Sequence, residues 1–179
     1  CVTCEPGKYQ DVKGETSCRY CDAGYYQNAT AQFDCIACSL GTFGTISGAN
    51  SSAVCHACPG GRYGGRPGLG LAELCTACEV GRYLGEPDGQ APTACLPCPN
   101  GTYQDDTGAT GCVECEQGEQ FVSAQSPCTR CDLGTYGNPS SPGLCVTCEP
   151  GKYQDVKGET SCKPCPASRW SGDKEATSL

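Results

Sequence analysis

Apolar side chains along this chain follow no helical period: no stretch repeats them at the three- and four-residue spacing of an amphipathic helix, so no helix is predicted. A single aromatic recurs instead, at a fixed place after a cysteine. The phrase C-x2-G-x-aromatic gives Gly7 and Tyr9, Gly24 and Tyr26, Gly41 and Phe43, Gly61 and Tyr63, and Gly81 and Tyr83. It continues with Gly101 and Tyr103, Gly134 and Tyr136, and Gly151 and Tyr153. Two repeats depart from it. After Cys115, Gly118 is followed by Gln120, with Phe121 one place late; after Cys165 the two places hold Ser168 and Trp170. A glycine at a fixed offset marks a backbone site of positive φ or a close approach of chains. The ring two residues on is expected to supply the apolar core of its repeat. A second glycine, at Gly14, Gly108 and Gly158, precedes a cysteine by four residues and reads as a hairpin turn. Each repeat is therefore predicted to be two short strands or extended arms.

The cysteines set the period. All 20 fall into CxxC pairs beginning at Cys1, Cys18, Cys35, Cys55, Cys75, Cys95, Cys112, Cys128, Cys145 and Cys162. Successive pairs are 17, 17, 20, 20, 20, 17, 16, 17 and 17 residues apart, the tight period of an array of small repeats. The eighteen residues Cys1 to Cys18, CVTCEPGKYQDVKGETSC, return unchanged at Cys145 to Cys162, an offset of 144 that predicts a larger repeat over 1–144 restarting at 145. In the longer middle repeats, Gly64 to Gly70 (GGRPGLG) and Glu86 to Gly89 (EPDG) read as loop insertions on one side of the array. Only two residues separate the cysteines of a pair, so neighbouring repeats are expected to be held almost rigidly. A linear stack follows, a rod or gentle superhelix in which each repeat touches only its neighbours. The chain begins on the first cysteine of a pair and stops at Leu179, which reads as a window on a longer protein.

Composition explains why cysteine must carry the fold. Leu, Ile, Val and Phe number only 22 in 179 residues, too few for an ordinary core. Twenty cysteines instead mark a disulfide scaffold of small repeats with little regular structure. No apolar run reaches the roughly 18 residues of a membrane span, so no direct membrane insertion is expected in this stretch. A formal net charge of −8, with acidic and basic residues scattered, reads as a solvated surface and argues against a nucleic-acid partner.

Evenly spaced CxxC pairs also fit zinc, because two such pairs 15–20 residues apart match a Cys4 site. Zinc would group the pairs two by two, yet every interval carries the same glycine and aromatic phrase; a period of one pair suits a chain of closed loops better. A redox role would need a thiolate activated at a helix start, and no helix is predicted. No metal and no cofactor is expected. His56, the only histidine, lies beside Cys55 without acidic neighbours and reads as a surface residue. Asp105 and Asp106 lack the alternating ligands of a calcium loop and read as turn residues. No nucleophile with a plausible base is evident, so no enzymatic activity is expected. All four asparagines precede Ser or Thr by two residues; Pro139 spoils Asn138, leaving Asn28, Asn50 and Asn100 as N-glycosylation acceptors and pointing to a secreted chain.

Connectivity does not follow from spacing. The phrase C-x2-G-x-Y followed by a loop and CxxC resembles the cysteine-rich repeats of ephrin-receptor-like and tumour-necrosis-factor-receptor-like modules, over essentially the whole chain. In such modules the cysteine before the glycine closes on the next cysteine downstream. The resemblance thus implies Cys4–Cys18, Cys21–Cys35, Cys38–Cys55, Cys58–Cys75, Cys78–Cys95, Cys98–Cys112, Cys115–Cys128, Cys131–Cys145 and Cys148–Cys162. It makes repeat units of 4–18, 21–35, 38–55, 58–75, 78–95, 98–112, 115–128, 131–145 and 148–162, with 1–3 ending a preceding unit and 165–179 a truncated one. Cys1 and Cys165 would then pair outside this stretch. Each closed loop would gain about 3 kcal/mol from lost unfolded-state entropy.

Two functions fit such an array. One is an extracellular structural protein, a stapled rod in a filament, stalk or cell-surface appendage that associates with itself or with other filament proteins. Long proteins of the resembled type occur on protist and algal surfaces, and the flagellar hairs called mastigonemes are its sharp version. The other is a ligand-binding or adhesion ectodomain, whose distinctive face would be sought at Arg62, Arg66, Arg82 and Leu69 to Leu74.

Overall fold

The computed structural model describes residues 3–166. The expectations placed on Cys1, Ser168, Trp170 and the stretch after Pro166 therefore lie outside the described residues. Within them the chain is a tandem series of two-stranded antiparallel hairpins, each closed by one disulfide. The nine bridges are Cys4–Cys18, Cys21–Cys35, Cys38–Cys55, Cys58–Cys75, Cys78–Cys95, Cys98–Cys112, Cys115–Cys128, Cys131–Cys145 and Cys148–Cys162. Cys165 is unpaired.

The strands come from the two recurring phrases. In the first repeat, Lys8–Tyr9, directly after the fixed glycine, pairs with Arg19–Tyr20, the two residues inside the next CxxC. Thr42–Phe43 pairs with His56–Ala57 in the same way, as do Thr102–Tyr103 with Val113–Glu114 and Lys152–Tyr153 with Lys163–Pro164. The dipeptide of each CxxC is thus the returning strand of one hairpin, flanked by the cysteine that closes that loop and the one that opens the next. Gln120 does not disturb this arrangement: Glu119–Gln120 pairs with Thr129–Arg130, because the ladder is made by backbone atoms.

Contacts group the chain into two compact units: Cys1–Glu79, Tyr83–Leu96 and Thr107–Thr110 in the first, and Val80–Arg82, Pro97–Asp106 and Gly111–Leu179 in the second. In the first unit, successive repeats are laced by backbone hydrogen bonds in three registers. The fixed glycine donates to the following repeat, as Gly7 to Gln27 O (2.7 Å), Gly24 to Gly44 O (2.6 Å) and Gly41 to Gly64 O (2.9 Å). Three residues on, Gln27 donates to Ala49 O and Gly44 to Leu69 O, and a parallel bridge joins Phe43 to Leu69. In return a left-handed turn residue donates to the opening cysteine of the preceding repeat, as Gly48 to Cys21 O (2.7 Å) and Gly68 to Cys38 O (2.9 Å). The second unit uses the same bonds, with Gly81 donating to Gln104 O, Gly134 to Gln154 O and Gly158 to Cys131 O.

Repeats also meet their next-but-one neighbours, contrary to the expectation of neighbour-only contact. Gly7 lies against the backbone of Gly48, Gly24 against Gly68 and Gly61 against Gly108 in the first unit; Gly118 lies against Gly158 in the second. At Gly7, Gly24, Gly61 and Gly118 the fixed glycine has two physical reasons at once. Its φ is positive, +78° at Gly61 for example, and a Cβ there would collide with a carbonyl two repeats away.

The core differs from expectation as well. Tyr9, Tyr26, Phe43, Tyr63 and their counterparts are only half-buried. The most deeply buried side chains are the second cysteines of the pairs, with Cys21, Cys38, Cys58 and Cys148 at 0% exposure. Phe43 packs against the buried cluster of Cys58, Leu69 and Cys75. The extra residues of the middle repeats are also not placed at 64–70 or 86–89. Gly68 and Asp88 are the ordinary left-handed turn residues there, and the added length forms 3-10 turns at Ser52–Val54, Ala72–Leu74 and Pro92–Ala94, each ending on its closing cysteine.

Candidate functional site

The parts of each repeat that carry chemistry are the staple, the loop it closes and the side chains that loop exposes. In the first unit both ends of the Cys58–Cys75 staple are buried, whereas Cys18 and Cys35 are half-buried ends of theirs. A staple withdrawn from solvent resists thiolate attack, since exchange needs access to the sulfur.

A glutamine fixes the loop in four of the shorter repeats. Gln27, 4% exposed, donates from its side-chain amide to Asp34 O (2.7 Å) and accepts from the Ala29 N–H (3.1 Å). Gln154, 1% exposed, does the same between Ser161 O (2.6 Å) and the Val156 N–H (3.0 Å). Gln104 joins Gly111 O to the Asp106 N–H, and Gln10 joins Ser17 O to the Val12 N–H. One primary amide thereby satisfies a donor and an acceptor at opposite ends of a loop. Sequence reasoning passed over these residues; the signal was the recurrence of Gln directly after the aromatic, in Tyr9-Gln10, Tyr26-Gln27, Tyr103-Gln104 and Tyr153-Gln154. Asp106 accordingly takes part in this turn through its own N–H.

Within the duplicated stretch, 4–18 and 148–162 share one pattern of strand and turn. Lys8 pairs with Glu5 (3.8 Å) as Lys152 does with Glu149 (3.3 Å). Asp11 meets Arg19 (3.5 Å) where Asp155 meets Lys163 (2.6 Å). The Lys163 ammonium donates to Asp155 and holds its carboxyl below the usual value, while the carboxylate raises Lys163.

The three acceptor asparagines, Asn28, Asn50 and Asn100, are all exposed. The face sought in the middle repeats is not a single one. Leu69 is core at 1% exposure, and the Arg62 guanidinium donates to Cys75 O (2.9 Å), at the closing end of its own staple. Leu71, Leu74 and Arg66 remain exposed on the same loop. His56 is exposed, with its ring tilted against Phe43 at 6.1 Å between centroids. Among the described residues no helix is long and apolar enough to cross a membrane.

The sequence matches the family described as tyrosine-protein kinase ephrin type A/B receptor-like over residues 7–55, 85–120 and 137–179. No curated protein matches the chain. The matched segments carry the same construction: a fixed glycine, a two-residue strand, and a loop returning through CxxC under a disulfide. They span more than half of the chain, and with nine such bridges in tandem the chain belongs to the ephrin-receptor-like family of cysteine-rich repeats, an extracellular type of domain.

Proposed function

We propose that this chain is part of an extracellular structural protein, a run of stapled repeats that builds a filament, stalk or surface appendage of the mastigoneme kind. One observation carries the reading: within eighteen identical residues set 144 apart, 4–18 and 148–162 adopt the same pattern of strand and turn, with the same Glu–Lys ion pair, in two compact units. Units that occupy equivalent environments in a periodic assembly can share a sequence. The bonds between repeats support the same reading, because they join main-chain groups and leave side chains on the surface free to meet further copies. In this reading the chain is not an enzyme and holds no cofactor, and its partners are copies of itself or other filament proteins.

A ligand-binding or adhesion ectodomain is the second reading, favoured by the exposed Leu71 and Leu74 beside Arg66 on one loop. Electron microscopy of the native material separates the two. Regular filaments that contain the chain support the structural role; dispersed single molecules holding a soluble partner overturn it.

A further inference from the structure

Phe33, at 75%, is the most exposed large apolar side chain among the described residues. It lies in the loop closed by Cys21–Cys35, and that loop is not slack. The buried Gln27 amide ties Asp34 O to the Ala29 N–H, and Ala31, at φ +58°, donates to Cys4 O (2.9 Å). Its outer surface forms an open groove of about 380 Å³ lined by Asn28, Gln32, Phe33, Asp34 and Ile36. Ile36 is itself 44% exposed and stands across the hairpin from Tyr26. Apolar side chains fixed on a rigid loop and facing water call for an occupant.

The groove names its own occupant, because the asparagine on its wall opens the acceptor Asn28-Ala29-Thr30 and is exposed. A pyranose presents one face of axial C–H bonds, which packs on the electron-rich face of an aromatic ring, while its hydroxyl and acetamido groups need polar neighbours at the edge. Phe33 and Ile36 offer the first surface; Gln32 and Asp34 offer the second. We propose that Asn28 carries an N-linked glycan whose first N-acetylhexosamine is seated in this groove with its C–H face on Phe33. In the transfer, the Asn28 amide nitrogen bonds to the anomeric carbon of a lipid-linked oligosaccharide. The bond from that carbon to the pyrophosphate oxygen breaks, the carrier leaves as the lipid pyrophosphate, and the nitrogen gives up one proton. The inference rests on the extracellular reading above, and it assigns the exposed ring a purpose that reading leaves open.

The test is secretion of the whole chain from a eukaryotic host, followed by glycopeptide mass spectrometry and proton NMR of the folded glycoprotein. The expected result is occupancy at Asn28, with the first sugar's protons shifted upfield by the Phe33 ring and joined to it by nuclear Overhauser contacts. Phe33→Ser should abolish the shift and the contacts while the other hairpins keep their spectrum, and Asn28→Gln should remove the same signals. An occupied Asn28 whose sugar protons match those of a free glycopeptide overturns the seat. A secreted chain glycosylated at Asn50 or Asn100 but bare at Asn28 overturns it while leaving the extracellular reading standing. Retention of the chain with reduced cysteines and no glycan sinks both.

Discussion

Gly61 packs against the backbone of Gly108, two repeats further on in the first unit, so closely that a Cβ on Gly61 would fall on the Gly108 carbonyl oxygen. Gly61 also has φ +78°. The same juxtaposition joins Gly7 to Gly48 and Gly24 to Gly68, so it belongs to the repeat and not to one accident of packing.

Gly61→Ala should therefore be destabilising twice over. The left-handed backbone costs a residue with a Cβ about 1–2 kcal/mol, and the collision adds roughly 1–3 kcal/mol because the obstacle is main chain. Gly14→Ala is the control: φ is +91°, but nothing lies within 4 Å of the added carbon, so only the backbone term of about 1–2 kcal/mol applies. Denaturant midpoints with the disulfides intact measure the difference. Equal losses in the two variants would mean that the next-but-one contact contributes nothing.

The glutamine clamp predicts a local effect. Gln154→Ala removes a side chain that is 1% exposed and leaves Ser161 O and the Val156 N–H without their partner, a loss of about 1–3 kcal/mol. Gln10→Ala, the same change in the other copy of the duplicated stretch, should be milder, since Gln10 is half-buried and water replaces it. Amide exchange gives the readout: Val156 should lose more protection in its variant than Val12 does in the other.

Much of this was legible before any coordinates. Twenty cysteines in ten evenly spaced pairs announce a stapled array, and Gly7 with Tyr9 announces a turn and a strand. Three things were hidden, each for a physical reason. That Gly61 meets Gly108 depends on how each repeat is set on the last, which local spacing does not encode. That the rings are half-buried and Cys21 or Cys58 fully buried reflects a repeat too small to enclose a tyrosine; a disulfide is compact enough to be surrounded. Ser52–Val54, Ala72–Leu74 and Pro92–Ala94 are single turns, too short for any hydrophobic period to mark them.

Reduction should proceed in order of access. Under limiting reductant the half-buried ends Cys18 and Cys35 should be alkylated before Cys58 and Cys75, which are 0% and 1% exposed. Peptide mapping after timed alkylation follows the order. Removing the buried staple by Cys58→Ser with Cys75→Ser should cost about 3 kcal/mol from the freed loop alone. If Cys58 and Cys75 label first, the cysteine core opens before the surface does, and burial is not what protects it.

The ion pair of Lys163 with Asp155 gives a prediction about pH. The Lys163 ammonium, 2.6 Å from the carboxylate, lowers Asp155 from its ordinary value of 3.8 and is itself raised from 10.5. A depressed carboxyl contributes its stability above the ordinary value and loses it as pH falls through the lower, folded one. A raised ammonium contributes below its ordinary value and loses it as pH rises through the higher, folded one. The pair therefore acts across the span between 3.8 and 10.5 and fades outside it at both ends. Both side chains are nearly half exposed, so solvent screens the contribution and the melting temperature is a poor reporter. The titration itself is the better observable. Carboxyl carbon shifts should place Asp155 below the ordinary value, Lys163→Met should return it upward, and molar salt should move the native protein part of the way in the same direction. An Asp155 that titrates alike in the native and Lys163→Met proteins would show the two groups apart in solution.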